Sequence, residues 1–406
     1  LKREPPISRR RLRSTFVAES IRAVAAGVIE TALITFAVLI AVTRFESGAA
    51  VKSLLLASPA LGLLGSFLVV AFAVRCRLRS SAAAGWVSLV GFGGFALAAW
   101  GHGSELCFVL GTALGIGMMG MVLPLQTHYL RINYPARLRG RLFSIAIVIR
   151  ASTAVLASWG FGHLLDRDFG LYPVFLWTLA GAALLAALCH FAVPSKPLRR
   201  SVDRRPGLFE AVRVSRGDRL FVQLLLAAMV LGLGVLAANA LRVDYLANPE
   251  HGRALDVKTV SWITGIVPAF MRLVSTYFWG WLFDRMDFLW LRLLVNVLFL
   301  AAILLFFLPS SLVWISVGSA LFGLARGGGE IMFNLFVTKF APTEHIADYM
   351  SVHTFLAGCR TLAAPFFGFY LAQWFGISGL VGVTAALVLC SVFLVRGAAG
   401  SRGERY

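Results

Sequence analysis

The sequence predicts an all-α polytopic membrane protein with twelve transmembrane helices in two pseudo-symmetric six-helix bundles. Three observations carry that expectation. Of 406 residues, 59% are hydrophobic and 14% charged, with a mean hydropathy of +0.80, which lies outside the range of water-soluble domains. Twelve apolar stretches are each long enough for the ~20 residues that a bilayer crossing needs. The basic residues, which leave a net charge of +19, fall between those stretches and alternate in density from loop to loop.

A basic arm, residues 1–17, leads into a full-length span instead of the short core of a signal peptide, so the first helix is expected to stay in place. Spans follow at 18–42, 51–74, 82–100, 105–130, 141–163 and 171–193, giving a first bundle over residues 18–193. Residues 194–219 carry Pro194, Pro197, Pro206 and eight Lys or Arg, and read as a cytoplasmic linker. Within it, 206–219 has the composition of an amphipathic helix lying on the inner leaflet. The second bundle, residues 220–396, takes spans at 220–243, 258–283, 289–308, 311–338, 346–373 and 378–396, and a short tail covers 397–406. Counted by side, 27 basic residues fall on one face and 5 on the other. An even number of spans with both termini in the cytoplasm fits that asymmetry, and a bacterial inner membrane fits the compact loops. Trp279, Trp281 and Trp290 near span ends read as an interfacial belt.

The two halves share a weak repeat. Gly111-Thr112-Ala113-Leu114 aligns with Gly318-Ser319-Ala320-Leu321, Pro135 with Pro342, Ser144 with Ser351, and Gly27-Val28 with Gly234-Val235, each at an offset of 207. Such internal duplication is common in transporters. The five cysteines are scattered, with neither a disulfide framework nor metal-ligand spacing. No phosphate-binding loop, nucleophile elbow or zinc helix occurs, so neither an enzyme nor a cofactor or metal is expected. The string Gly115-Ile116-Gly117-Met118-Met119-Gly120 formally spells a dinucleotide fingerprint, but no strand precedes it, and small-residue helix packing explains it better.

Two six-helix halves, a basic central linker and cytoplasmic termini resemble the major facilitator superfamily over nearly the whole chain. Gly280-Trp281-Leu282-Phe283-Asp284-Arg285, between helices 8 and 9, is similar to that family's Gly-x-x-x-Asp-Arg loop motif. The resemblance implies a gating role for Gly280, Asp284 and Arg285, with Gly allowing close helix approach and the carboxylate capping a neighbouring helix. The corresponding loop between helices 2 and 3 keeps its basic residues, Arg75 among them, but has Val70 and Val74 in place of Gly and Asp. A second such string, Gly162 to Arg167, falls after helix 5 and reads as coincidence or an interfacial cap. Helix 4 carries Gly111-x-x-x-Gly115-x-Gly117, where the family's motif begins with Arg, so an arginine that the family often uses for proton coupling is missing there.

Ionisable residues inside spans carry the functional expectation, because a charge at mid-bilayer costs about 2.5–3.5 kcal/mol even on lenient scales. Arg150 in helix 5, Arg272 in helix 8, Arg326 in helix 10 and Arg360 in helix 11 are all deep. The resemblance would set these helices around a central cavity. With Asn239 of helix 7, the four arginines are the candidate substrate-binding residues, since a guanidinium stays charged and presents forked donors to a carboxylate or phosphate. Interhelical salt bridging is the competing account. Arg326 and Glu330 lie four apart on one face and can satisfy each other, whereas Arg150, Arg272 and Arg360 have no acid within a turn. Glu30 and Glu330 are the candidate proton-coupling carboxylates, Glu30 preferred because no basic residue lies one turn from it. Arg22 and Arg242 read as snorkelling near span ends and His190 and His128 as positional, whereas Asn334 and Gln126, like Asn239, are polar enough to contact substrate and equally ordinary as interhelical hydrogen-bond partners. His353, two turns before Arg360, could join a proton path or be a satisfied core histidine.

With these residues, the resemblance implies a monomeric secondary transporter that moves a small anionic solute by alternating access, coupled to protons, in contact with membrane lipid and with no nucleic-acid partner. Multidrug or organic-solute efflux is the alternative, followed by a scaffold or receptor that does not transport.

Overall fold

The computed structural model describes residues 8–198, 217–340 and 346–403, and the 206–219 amphipathic segment lies almost wholly outside them. Backbone amides and carbonyls have no water to bond in hydrocarbon, so helices are the open-chain solution. Among the described residues helices account for every span. They are α1 (Arg9–Thr43), α2 (Ala49–Arg75), α3 (Ser80–Trp100), α4 (Glu105–Asn133), α5 (Ala136–Arg167) and α6 (Tyr172–Ala192). After the linker come α7 (Arg219–Ala247), α8 (Val257–Ser261, continuing through Val267–Arg285), α9 (Phe288–Phe307) and α10 (Leu312–Phe340). The last helical run, Ile346–Gly403, is broken at Gly376, where φ is 67° and ψ −177°. A left-handed φ of that size favours glycine. The break divides the run into α11 (346–375) and α12 (377–403), which makes twelve spans.

Local chemistry sets the helix ends. Ser8, Ser104, Asp218 and Asp287 cap α1, α4, α7 and α9, each side-chain oxygen accepting a backbone N–H of the first turn. Two spans contain a five-residue π turn, Ala32–Phe36 in α1 and Trp262–Ile266 in α8, a deviation from the α pattern that recurs at functional positions. The repeat is visible in the element starts, since α4 begins at Glu105 and α10 at Leu312, 207 residues on.

The chain forms two compact units. The first takes the described residues up to Ser47, those from Ser58 into the linker, and Asp256–Ser261. The second takes Gly48–Ala57, the stretch from the linker through Leu255, and Trp262 onward. The first turns of α2 and of α8 are thus each counted with the opposite unit from the rest of their helix.

Small residues bring helices into contact within each unit. A Cβ at Gly111 of α4 would lie 2.5 Å from the Gly94 carbonyl oxygen of α3, and one at Gly115 2.7 Å from the Phe95 ring, which is the packing role expected for that glycine string. The repeat-related pair serves different neighbours: Gly27 abuts the Arg150 carbonyl on α5, Gly234 the Thr384 carbonyl on α12. At Gly62 a Cβ would collide with the Gly117 carbonyl across α2 and α4, whereas at Gly93 it would meet open space. Gly62→Ala is therefore expected to cost about 1–3 kcal/mol, the usual penalty of overpacking. Gly93→Ala should be neutral, and thermal unfolding of both variants in one detergent checks the difference.

Candidate functional site

Each unit holds its own ionic set, and each set depends on where one helix approaches another. In the first unit, the close contact of Gly27 with α5 sets Glu30, one turn later on α1, beside Arg150. The Arg150 Nε lies 3.1 Å from Glu30 Oε2, with the arginine side chain 42% and the carboxylate 13% exposed. The α1 π turn begins two residues after Glu30. No basic residue lies one turn from Glu30 along α1, and the carboxylate stands in an ion pair with a deep arginine, the competing account. Its basic neighbour comes from another helix, which spacing along α1 could not reveal.

In the second unit, Glu330 of α10 stands between two guanidinium groups, 3.3 Å from Arg272 Nη1 of α8 and 3.3 Å from Arg326 Nε on its own helix. The (i, i+4) pairing expected for Arg326 is present, and the same carboxylate serves Arg272, whose side chain is 8% exposed. Arg360 of α11 turns towards α7 and donates from Nη1 to the Ala228 carbonyl at 2.7 Å. It fits there because Gly232, one turn along, has no side chain, and a Cβ would overlap the guanidinium. Asn239 lies half-buried on α7.

Arg242 requires a correction. It is 5% exposed and does not snorkel. Its guanidinium lies between Phe306 and Phe322, 4.6 and 4.7 Å from the ring centroids, an arrangement in which the ring quadrupoles stabilise the cation. It also donates to Ser319 Oγ and, at 3.3 Å, to the carbonyl of Ile263. Ile263 belongs to the α8 π turn, so the buried charge ties a carbonyl of that turn to α7. Trp279 is corrected too. It is 2% exposed and its indole donates to Leu324 O at 2.8 Å, whereas Trp281 and Trp290 are exposed.

Of the gating residues, Gly280 is half-buried, and a Cβ there would meet nothing within 4 Å among the described residues. It marks no close helix approach there. Arg285 lies over the Trp281 ring at 4.5 Å, Arg75 is exposed at the end of α2, and the side chains of Asp284 and Asn334 lie outside the described residues. The string after helix 5, read as coincidence or a cap, does cap a helix. Asp166 Oδ1 accepts the Lys258 backbone N–H at 3.3 Å in the first turn of α8, and Gly162 faces Ser261 of the same turn. Ser261 Oγ adds a hydrogen bond to Ser158 O at 2.8 Å.

Two buried networks escaped the sequence reading. Glu19 of α1 is 2% exposed and accepts from Arg22 Nε at 3.0 and 3.1 Å, from Gln126 Nε2 at 2.9 Å and from the Tyr129 hydroxyl at 2.5 Å. Because that hydroxyl donates to the carboxylate, the His190 Nδ1, 3.0 Å from the phenol oxygen, must carry its proton and donate in turn. Arg22 is therefore paired in place and His190 is part of a network. The second set joins Lys52 Nζ to Asp244 Oδ1 at 2.6 Å and His251 Nε2 to Asp244 Oδ2 at 3.1 Å, with the ammonium 5.2 Å from the centre of the Phe369 ring. The Glu19–Arg22 spacing of three was the one signal in the sequence for either network.

Residues 20–359 match the sequence profile of the Major Facilitator Superfamily. Among solved structures, a mutant of the nucleoside transporter NupG superposes with a TM-score of 0.74 at 13% identity, covering 95% of this chain and 99% of that one. A bacterial homologue of the human lysosomal transporter Spinster, in an inward-facing and occupied conformation, gives 0.70 at 15% identity over 98% and 97%. A D-xylose–proton symporter gives 0.65 at 15% over 95% and 97%. These likenesses show the fold. A stretch of 128 residues is 31% identical to heme A synthase of Erythrobacter litoralis (strain HTCC2594), covering 31% of this chain and 37% of that protein, so the chain spans little more than a third of the length of this curated relative.

Proposed function

Since the chain belongs to the Major Facilitator Superfamily and is an integral membrane protein of the transporter fold, we propose that it is a proton-coupled secondary transporter of a small organic anion. It works by alternating access as a monomer in a bacterial inner membrane, with both termini in the cytoplasm. The observation that carries the anion reading is an excess of fixed positive charge inside the spans of the second unit. Glu330 serves both Arg272 and Arg326, while Arg242 and Arg360 pair with no carboxylate among the described residues. Uncompensated guanidinium groups at membrane depth are costly, and an anionic solute supplies the missing charge with geometry that suits the forked donors. A cavity for cationic or apolar drugs would need the opposite balance.

Proton coupling follows from competition. The Arg150–Glu30 and Arg272–Glu330–Arg326 groups are ion pairs that an incoming anion can contest. A carboxylate that loses its guanidinium neighbour in a low-dielectric setting takes up a proton, and releases it when the solute leaves. Asn239 contributes polar contact, and Gly280, Asp284, Arg285 and Arg75 act in gating.

Reconstituted vesicles with an imposed pH gradient and a panel of labelled organic anions test this. Arg150→Gln, Arg272→Gln and Arg360→Gln should each cut uptake by about 10- to 100-fold, the worth of a charge-assisted hydrogen bond, while the proteins still insert. Uptake retained in all three removes the assignment. Glu30→Gln should keep anion exchange and lose accumulation driven by the pH gradient.

A further inference from the structure

We propose that the groove between α7 and α12 in the second unit binds an anionic phospholipid, with an acyl chain in the groove and the head-group phosphate at Arg219 and Arg396. The groove is lined by Gln223, Ala386, Leu389, Cys390, Phe393 and Leu394 and has a volume of about 510 Å³, within the roughly 300–1,000 Å³ of small-molecule sites. Gln223 supplies the one amide among these side chains, and Leu389 and Phe393 stand 43% and 68% exposed. The opposite face of α12 is the one that seals the helix pair. Ser391 Oγ donates to Ala227 O at 2.8 Å, Thr384 and Val388 are fully buried, and the Thr384 carbonyl abuts Gly234. Residues 386, 389, 390 and 393 therefore form the face of α12 that α7 leaves open.

Helix geometry puts positive charge at one end of this groove. Gln223 Nε2 donates to Leu394 O at 3.0 Å, and a Cβ at Gly397 would lie 3.0 Å from the same nitrogen, which fixes the register of the two helices. Arg219 precedes Gln223 by one turn on the same face of α7, and Arg396 follows Leu389 by seven residues, two turns along the same face of α12. At 1.5 Å per residue, each arginine stands within about 6 Å, along its helix, of the Gln223–Leu394 contact. Both residues are exposed, at the end where α7 begins and α12 finishes. The neighbouring carboxylate, Asp218, accepts the Phe221 N–H at 3.1 Å as the α7 cap. Hydrocarbon alone gives no preference among lipids, since acyl chains are as apolar as the groove. Two cations at its end do, because basic clusters at a membrane surface attract acidic head groups and guanidinium presents forked donors to phosphate oxygens. Topology accounts for basic residues at span ends but not for a groove that runs up to them.

The site does not depend on the transport reading, and the chain carries its own reporter. Cys390 lies in the groove and Cys76 is exposed in the turn after α2, both as free thiols, so alkylation of Cys390 relative to Cys76 measures occupancy. The full chain in a non-ionic detergent is titrated with short-chain phosphatidylglycerol, or with phosphatidylcholine as the uncharged control, and treated with N-ethylmaleimide before peptide mass spectrometry. Phosphatidylglycerol should protect Cys390 at a concentration about 25-fold lower than phosphatidylcholine, about fivefold for each arginine. Arg219→Gln and Arg396→Gln should each raise the half-protecting concentration about fivefold, and the double variant about 25-fold. Arg219→Lys with Arg396→Lys should keep most of the protection, which separates lost charge from misfolding, and Arg77→Gln, an exposed arginine outside the groove, should keep all of it. Equal protection by the two lipids, or wild-type protection in the double Gln variant, overturns the site. Protection that rises with protein concentration in the absence of added lipid assigns the groove to a second copy of the chain, and a Cys390 rate that neither lipid changes leaves it without a ligand. Either result also overturns the proposal.

Discussion

Glu19→Ala is expected to lower the stability of the protein by about 3–5 kcal/mol, as removing one partner of a buried ion pair does. The carboxylate is 2% exposed and accepts from three side chains on two helices. Its removal leaves the Arg22 charge in place and orphans the Gln126 and Tyr129 donors at the same time, so nothing local can take over. Glu19→Gln restores an acceptor but not the charge, and should recover only part of the loss. The double variant Glu19→Leu with Arg22→Met should be less destabilised than Glu19→Ala, because the cost lies in the stranded charge. Thermal or denaturant unfolding of the four proteins in one detergent measures this, and a loss below about 1 kcal/mol for Glu19→Ala would show that water reaches Arg22.

The contrast between that network and the rest of the chain shows what a sequence can disclose. The spans were legible because a bilayer imposes a length and an apolar composition on every crossing, whatever the neighbours. Even the end of helix 11 was readable, since Gly376 falls in the short gap between two apolar runs and is the residue that breaks the helix. The arginines were legible as anomalies, because a deep charge stands out against its own helix. Their partners were not. Glu30 and Arg150 are 120 residues apart in sequence and meet only because Gly27 lets α1 touch α5. Arg242 looked like a span-end residue because Phe306, Phe322 and the π turn that bury it come from three other helices. Glu19 stands beside the start of the apolar run, yet the helix starts ten residues earlier, at Arg9. In each case the span is a property of one segment and the partner a property of the packing.

The Lys52–Asp244 pair should respond to the same logic with a sharper signature. Both residues are buried, 7% and 3% exposed, and their charged atoms are 2.6 Å apart. Asp244→Asn is expected to cost about 3–5 kcal/mol, since it leaves the Lys52 ammonium in its buried place with the Phe369 ring as its remaining stabilising neighbour and takes the carboxylate from His251. Lys52→Met should cost less, because His251 Nε2, 3.1 Å from Asp244 Oδ2, still gives the carboxylate a hydrogen-bond partner. If the pair is worth more than its desolvation, Lys52→Met with Asp244→Leu remains well below the wild type. If specificity and not stability maintains it, the apolar double variant equals or exceeds the wild type, as happens when buried ion pairs are replaced by well-packed hydrophobic residues. The double-mutant cycle separates the two. A large favourable coupling energy assigns the pair to the stability of the second unit, and a double variant as stable as the wild type points to a contact kept because it can be broken.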